Sequence, residues 1–281
     1  MIGVNMKSFW LLIGVLGLIS TQAPNIAQAQ AETAGDEKLR DFSPDRPSKA
    51  TGAITIDAGH VEIETDLVNI AHQKTDGITS QVLLAPNLTI RYGLTSDIDF
   101  EINLPPYTWT QSKFNGRRLT KEDGFGDTVV RFKFNFLGND EGDVAFALLP
   151  YVKIPTANAQ IGNGSAEGGM SAILSMNLPA GFVATFNSEI DALKNDTRSG
   201  MHTNIAGVAN LGHALMEGVQ VSGEIWTSVN YEPAKTIRQA SADFSLAFAL
   251  PSDSQFDVGV NLGLNSNTPR TQFYVGFARR F

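Results

Sequence analysis

The sequence predicts an all-β protein: a closed antiparallel transmembrane β-barrel of about twelve strands. Three observations support this fold class. From Ile54 to the end of the chain, apolar and polar residues alternate in stretches that we predict to be strands. The links between these strands are long and short in turn, and the last residue is the aromatic Phe281. Alternation with period two places successive side chains on opposite faces of a strand. Outer-membrane barrels combine it with short turns at one end and longer loops at the other.

The first 29 residues have the features of a cleaved secretory signal. Lys7 precedes an apolar stretch from Phe9 to Ile19, which is too short to span a bilayer as a helix. The small-x-small pattern at residues 27–29 then suits a signal peptidase, and a cut after Ala31 suits it equally. A lone membrane anchor is the alternative interpretation. We therefore expect the rest of the chain to work outside the cytoplasm.

Residues 30–53 form a polar stretch without periodicity that contains Pro44 and Pro47. We interpret them as an extended periplasmic lead-in, partly mobile, and assign the barrel to residues 54–281. No part of this barrel region approaches the roughly 20 consecutive apolar residues of a transmembrane helix.

Composition excludes several classes of protein. The chain has no cysteine, so it can form neither a disulfide framework nor a thiolate metal site. The formal charge is −8, and removal of residues 1–29 takes away one lysine and no acid, which makes it −9. A nucleic-acid partner would require a basic surface, so we expect none.

The first four strands alternate most clearly. In "HVEIETDL" the residues Val61, Ile63, Thr65 and Leu67 share one face, and His60, Glu62, Glu64 and Asp66 share the other. The stretches "VLLAPNLTIRY", "DIDFEINL" and "VRFKFNF" repeat the pattern, and no charge falls on any of the four apolar faces. Eight further strands are predicted near residues 144–154, 170–178, 182–191, 202–211, 219–231, 239–250, 255–264 and 271–281. Those at 170–178 and 202–211 have small residues on both faces.

The links divide into two classes. Even-numbered links are tight, at residues 93–96, 138–142, 179–181, 212–218 and 251–254. Odd-numbered links are usually longer, at residues 71–78, 111–124, 156–168 and 192–200, with shorter ones near Pro233 and Ser266. We expect the tight links to be periplasmic turns and the longer ones to be external loops.

A soluble sandwich would also alternate, so periodicity alone does not choose between the two folds. In a bilayer every backbone group must find a partner within the protein, and a closed barrel is the sheet that has no edges. The predicted last strand, "FYVGFARRF", ends on Phe281 and resembles the C-terminal signature that barrel-assembly machinery recognises. It departs at Arg279, where that signature usually has an apolar residue. A soluble strand that ends on Phe by chance is the alternative.

The inward faces of the predicted strands carry eleven acids and five bases, a formal balance of −6. Such a lining would favour cations or neutral polar solutes over anions. Alternatively, the charges pair across neighbouring strands and fill a narrow interior, and Arg91 is well placed for that. The acids are Glu62, Glu64, Asp66, Asp97, Asp99, Glu101, Glu189, Asp191, Glu224, Asp243 and Asp257; the bases are Arg91, Arg131, Lys133, Lys153 and Arg280.

Two other kinds of function are weighed against a pore. A barrel hydrolase needs a nucleophile and a histidine in contact, but His60, His72, His202 and His213 lie in no recognisable nucleophile motif. We predict no catalytic residue, no metal site and no cofactor. A structural or surface-binding protein would act through its external loops, such as "QSKFNGRRLTKEDG" and "TANAQIGNGSAEGG". The glycines of "GFGDT" and "GNGSAEGG" lack the lysine of a phosphate loop.

One stretch, "LRDFSPDRPSKATGAITIDAGHVEIETDLVN", resembles the MetA-pathway of phenol degradation family. The segments "NLTIRYGLTSDIDFEI", "GFGDTVVRFKFNF" and "FALLPYVKIPT" are similar to it as well, so the resemblance covers nearly all of the mature chain. The resemblance implies an outer-membrane barrel that passes small solutes, with aromatic compounds as the suggested cargo. The expected partners are the lipid bilayer, the barrel-assembly machinery through the strand that ends at Phe281, and a small-molecule solute.

Overall fold

A computed structural model describes residues 39–281, so the predicted signal segment lies outside the described residues. Within this range the chain forms fifteen β-strands and one short 3₁₀ turn at Pro179–Gly181. The strands are β1 Val61–Thr75, β2 Ile78–Leu84, β3 Asn87–Thr95, β4 Ile98–Asn103, β5 Tyr107–Phe114, β6 Arg117–Phe125, β7 Thr128–Leu137, β8 Val144–Ile154, β9 Glu167–Leu178, β10 Phe182–Lys194, β11 Met201–Met216, β12 Val219–Asn230, β13 Ile237–Leu250, β14 Ser254–Gly263 and β15 Thr271–Arg280.

The fifteen strands build a closed antiparallel barrel of twelve strands, as the sequence predicts. Three barrel strands are each made of two segments: β2 with β3, β4 with β5, and β6 with β7. The breaks fall at residues 85–86, 104–106 and 126–127. At the first two, Pro86, Pro105 and Pro106 lack the N–H that a ladder requires. The first strand spans both segments of its neighbour, because residues 61–66 pair with β3 and residues 69–75 pair with β2.

The barrel closes between the first and last strands, from Glu62 opposite Arg280 to His72 opposite Thr271. At the chain end, the Phe281 N–H donates to the Val61 carbonyl at 2.8 Å and the Val61 N–H donates to the Phe281 carbonyl at 3.1 Å. The final aromatic residue therefore completes the seam by its backbone while its side chain stays exposed.

The eight strands predicted from residue 144 onward are all present, including the two with small residues on both faces. Two predicted external loops are instead strands. Residues 71–78 continue β1 and β2 around the turn Asp76-Gly77, and residues 111–124 belong to β5 and β6 around Asn115-Gly116. All four turn residues have positive φ, as two-residue hairpin turns require. Because these turns are tight, the polar residues on either side of them pair as strand residues.

The two faces of the wall differ in the way that a bilayer demands. Outward residues such as Ile190, Phe244 and Phe273 are each 53% exposed, whereas the inward Asp99 and Lys133 are 0% exposed. A soluble sheet protein has the reverse arrangement. Wide apolar exposure outside and buried charge inside place this barrel in the outer membrane.

Within residues 39–281, no helix is long and apolar enough to cross a membrane.

Candidate functional site in the barrel lumen

The barrel interior contains most of the charges predicted to line it. Thirteen of the sixteen are buried, and Arg131 and Glu189 are half-buried beside an internal cavity. Asp97 requires a correction, because it is exposed in the turn between β3 and β4, where the Ser96 hydroxyl donates to it at 3.0 Å. β3 ends at Thr95 and β4 begins at Ile98, so residue 97 lies outside the alternation that was used to place it.

Arg91 pairs with carboxylates on both neighbouring strands. Its Nη1 lies 2.7 Å from Glu62 Oε1 and 3.2 Å from Glu64 Oε1, and its Nη2 lies 3.1 Å from Asp99 Oδ2. Glu101 Oε1 is 3.5 Å from Arg91 Nε. Since one guanidinium serves four buried carboxylates, this wall remains acidic and needs further cations.

Residues 39–57, the lumen segment, enter the barrel from its short-turn end, and residues 44–56 lie inside it. Backbone N–H groups of this segment donate to wall carboxylates in pairs: Asp45 and Arg46 to Glu64, and Lys49 and Ala50 to Glu224, at 2.8 to 3.2 Å. Further along, Ile56 N–H donates to Asp99 at 2.9 Å, and Thr51 exchanges two hydrogen bonds with the Asn187 amide. An extended chain has no internal backbone ladder, so the wall supplies the acceptors that it requires.

Two side chains of the lumen segment supply the missing cations. Arg46 makes a bidentate contact with Asp257, at 2.7 and 3.1 Å, and reaches Asp66 at 2.6 Å. Lys49 pairs with Asp243. Charge-assisted, bidentate hydrogen bonds of this kind are stronger than hydrogen bonds between neutral groups.

Asp45 contributes the opposite charge, because both its oxygens lie 2.9 Å from Lys133 Nζ. Burial by itself would raise the pKa of the Asp45 carboxyl, but the nearby Arg91 and Lys133 cations outweigh it and lower that pKa below its ordinary value. The carboxylate is therefore charged at neutral pH and holds the segment against β7.

The lumen segment turns back on itself. Arg40 N–H donates to the Asp57 carboxylate at 3.2 Å, and Gly52 N–H donates to Asp45 at 3.1 Å. Arg280 joins both ends, because its Nη1 donates to the Arg40 carbonyl at 2.9 Å and to Asp57 at 3.1 Å. The segment is thus a loop inserted from the barrel end that holds the chain terminus and the short turns.

This geometry differs from the mobile periplasmic lead-in expected for residues 30–53. Their described part, from residue 39, is hydrogen-bonded inside the barrel. Ala53 is 0% exposed and packs with Ala145, Ala147, Leu149 and Ile173. The inward face of β8 is therefore apolar where the segment covers it, and polar composition alone gave no reason to expect that contact.

Two cavities remain in the lumen beside the segment. The larger, about 320 Å³, is lined by Arg131, Glu189, Tyr151, Asn187, Lys49 and Trp226, among others. The smaller, about 170 Å³, is lined by Gln239, Asn261 and Gln272 and shares Lys49 and Trp226 with the first. Lys49 Nζ lies 5.3 Å from the centre of the Trp226 ring. This contact between segment and wall borders both cavities.

At the opposite end of the barrel, the loop of residues 155–166 is held against the wall by a second buried charge cluster. Lys153 Nζ, 0% exposed, lies 2.6 Å from Glu167 and 3.2 Å from Asp127. The Ala157 N–H donates to Asp127 at 2.8 Å, and Asn163 accepts from Lys153 at 2.8 Å. The loop is thereby fixed to the inner wall at that end of the barrel.

The histidines do not assemble a nucleophile site in the described part of the chain. His60 Nδ1 contacts the Ala58 carbonyl at 3.3 Å. His202, at the start of β11, has its Nδ1 2.9 Å from Asn195 and 3.2 Å from Glu232, which lie in the adjoining links. Among residues 39–281 no group of three or more histidines and carboxylates is placed to hold a metal ion.

Sequence reasoning missed the residues of the lumen segment, chiefly Asp45, Arg46 and Lys49. One signal was available: a predicted interior with six surplus acids needs counter-charges, and "SPDRPSK" is the nearest stretch that could supply them. Tyr151 was also missed, although its hydroxyl donates to Asp191 at 2.5 Å. The signal for it was available, since Tyr151 lies two residues before Lys153 and therefore shares its inward face.

Comparisons with known proteins agree with this fold. The profile of the MetA-pathway of phenol degradation family matches residues 44–281. An outer-membrane channel from Pseudomonas putida F1 superposes with a TM-score of 0.61 at 14% identity, over 84% of this chain and 99% of that one. The β-domain of the Bordetella autotransporter BrkA gives a TM-score of 0.51 at 14% identity, over 80% of this chain and 100% of that one. A search of curated proteins gives no match.

Proposed function

The chain belongs to the MetA-pathway of phenol degradation family, and from this premise we propose that it is an outer-membrane channel for passive passage of small solutes. One observation carries the proposal: the lumen has a charged, hydrogen-bonding lining with two cavities on either side of Lys49 and Trp226. Passive passage needs weak sites along a polar path. No chemical step is required of any side chain.

The pore-lining residues of this proposal are those whose side chains face the lumen. They comprise Glu62, Glu64, Asp66, Arg91, Asp99, Glu101, Arg131, Lys133, Lys153, Glu189, Glu224, Asp243 and Asp257. Most of these are already paired, and the lumen segment occupies the centre. The half-buried Arg131 and Glu189 face the larger cavity and are the charges best placed to meet a solute.

Aromatic cargo is the finer part of the proposal. It is supported by the description of the family, and by the Tyr151 and Trp226 side chains in the lining of the larger cavity. A flat ring could stack on either side chain, since aromatic pairs add about 0.5 to 1.5 kcal/mol beyond the area they bury.

Planar-bilayer conductance of the folded mature protein tests the channel. We expect discrete conductance steps that favour cations, and uptake of small aromatic solutes into liposomes that carry the protein. Folding is checked by the faster migration of the unheated barrel on a denaturing gel. A folded preparation that shows no conductance, either intact or with residues 39–53 deleted, would refute the channel. Hydrolysis of phospholipid that is lost in His202→Ala would favour an enzyme instead.

A further inference from the structure

The hairpin of β5 and β6 extends beyond the membrane-crossing part of the barrel. A strand needs roughly 9 to 11 residues to cross the membrane. The strand formed by β4 and β5 begins at Ile98, at the short-turn end, so it has crossed the membrane by about Tyr107. The Tyr107 and Phe125 rings lie there in edge-to-face contact, 5.6 Å apart, and both side chains are exposed. Aromatic residues of this kind mark the interface of a barrel. Residues 111–121, the hairpin tip, therefore lie at the level of the outer-leaflet head groups.

The hairpin tip is basic although the chain as a whole is acidic. Lys113, Arg117, Arg118 and Lys121 are all exposed, and residues 111–121 contain no acid in a chain whose formal charge is −8. None of the four forms an ion pair with any residue in the described range 39–281. By contrast, the lumen cations Arg91, Lys133 and Lys153 each contact at least two carboxylates. The four cations of the tip have no carboxylate partner there and are available to an external anion.

Two large aromatic side chains lie on the bilayer side of these cations. Tyr107 is 39% exposed and Phe125 is 56% exposed. Fully solvated loops have little reason to expose such residues, whereas surfaces that lie in a membrane interface combine Lys and Arg with aromatic residues such as Phe. The pattern therefore points to a partner that offers negative charge beside an apolar phase.

We propose that the hairpin tip binds phosphorylated lipids of the outer leaflet, with its four cations on the phosphate groups and with the Tyr107 and Phe125 rings at the acyl boundary. Each basic residue near an anionic membrane surface strengthens binding severalfold. A soluble polyanion would satisfy the cations but would leave both aromatic side chains in water. The lipid surface accounts for the position, the charge and the aromatic residues together.

A binding measurement on the mature protein in detergent micelles tests this proposal. The ligands are an acylated glucosamine disaccharide with two phosphates and the same lipid without phosphates, and native mass spectrometry gives the dissociation constants. The test variant carries Lys113→Gln, Arg117→Gln, Arg118→Gln and Lys121→Gln. The matched control carries Arg198→Gln, Lys235→Gln, Arg238→Gln and Arg270→Gln, which removes the same charge from exposed positions elsewhere at the external end.

We expect the dissociation constant for the phosphorylated lipid to rise about tenfold or more in the tip variant and less than threefold in the control. The lipid without phosphates should bind weakly to all three proteins. A second variant, Phe125→Ser, should weaken lipid binding and leave binding of inorganic phosphate unchanged, because Phe125 is 56% exposed at the interface and is not charged. Equal affinities in the tip variant and the control would overturn the proposal. Displacement of the lipid by millimolar inorganic phosphate or by heparin would overturn it as well, because the site would then be one for soluble anions.

Discussion

Replacement of Arg46 by Gln tests whether ion pairs hold the lumen segment in the barrel. Arg46 contacts Asp257 through two nitrogens and Asp66 through a third, and the two carboxylates are 0% and 7% exposed. Loss of one partner of a buried ion pair costs about 3 to 5 kcal/mol. Because Gln retains a hydrogen bond, we take about 3 kcal/mol, which is roughly a hundredfold shift toward the withdrawn segment.

Single-channel recording of Arg46→Gln in a planar bilayer measures this shift. We expect larger or longer open events than in the wild type, since withdrawal of the segment empties the centre of the lumen. We also expect a stronger preference for potassium over chloride in a salt gradient, because Asp66 and Asp257 lose their counter-charge.

Arg131→Gln is the matched control. It removes the same charge from the lumen, but Arg131 lies 3.8 Å from Glu101 on the wall and bonds no residue of the segment. Gly276→Ala is the steric counterpart: a Cβ at residue 276 would overlap the Arg46 guanidinium, so it should open the channel with all charges retained. If Arg46→Gln and Arg131→Gln behave alike and Gly276→Ala behaves as wild type, the segment is not held by these pairs.

Three further predictions concern other parts of the barrel. Lys153→Met leaves two buried carboxylates unpaired and should lower the free energy of unfolding by about 3 to 5 kcal/mol, measured by urea titration in detergent, whereas the exposed Lys235→Met should leave it nearly unchanged. The folded protein lowers the pKa of Asp45 below its ordinary value of 3.8. The free energy that the Asp45 carboxylate contributes to holding the segment in the lumen should therefore be complete above pH 3.8 and be lost as the pH falls through the lowered pKa. Conductance of the wild type should therefore rise in acid by more than that of Asp45→Asn, and parallel pH profiles would contradict this. Deletion of Phe281 removes two backbone hydrogen bonds to Val61 and should reduce the fraction of heat-modifiable barrel in outer membranes, with an unchanged fraction as the contrary result.

Periodicity was sufficient to predict most of the barrel wall. In β1 the residues Glu62, Glu64 and Asp66 alternate with apolar neighbours, and a slip of one residue would place every charge in lipid. The strand and its inward face follow from local chemistry alone. Prediction failed at Asp97, where the turn removes the residue from the alternation. It also failed in the stretches 71–78 and 111–124, whose polar side chains are typical of loops. There the Asp-Gly and Asn-Gly turns allow the strands to continue up to the turn.

The position of the lumen segment could not be predicted in the same way. Its conformation is extended and has no period, so no local pattern distinguishes a mobile lead-in from an inserted loop. Arg46 reaches Asp257 across 211 positions of the chain, and Lys49 N–H reaches Glu224 across 175. Such contacts exist only after twelve strands have closed and brought their carboxylates to one interior.

The amino-acid sequence by itself determined the alternation, the even number of strands and the two classes of face, because each of these depends on neighbours a few residues apart. Only the tertiary structure decided that the lumen segment fills the barrel and that the cations of the β5–β6 hairpin form no ion pair with residues 39–281. The physical reason is that closure of the barrel sets which charges are enclosed together and which are left outside. The sequence gives the charge of each side chain and the face of the strand on which it lies, and the closed barrel determines which opposite charge it contacts.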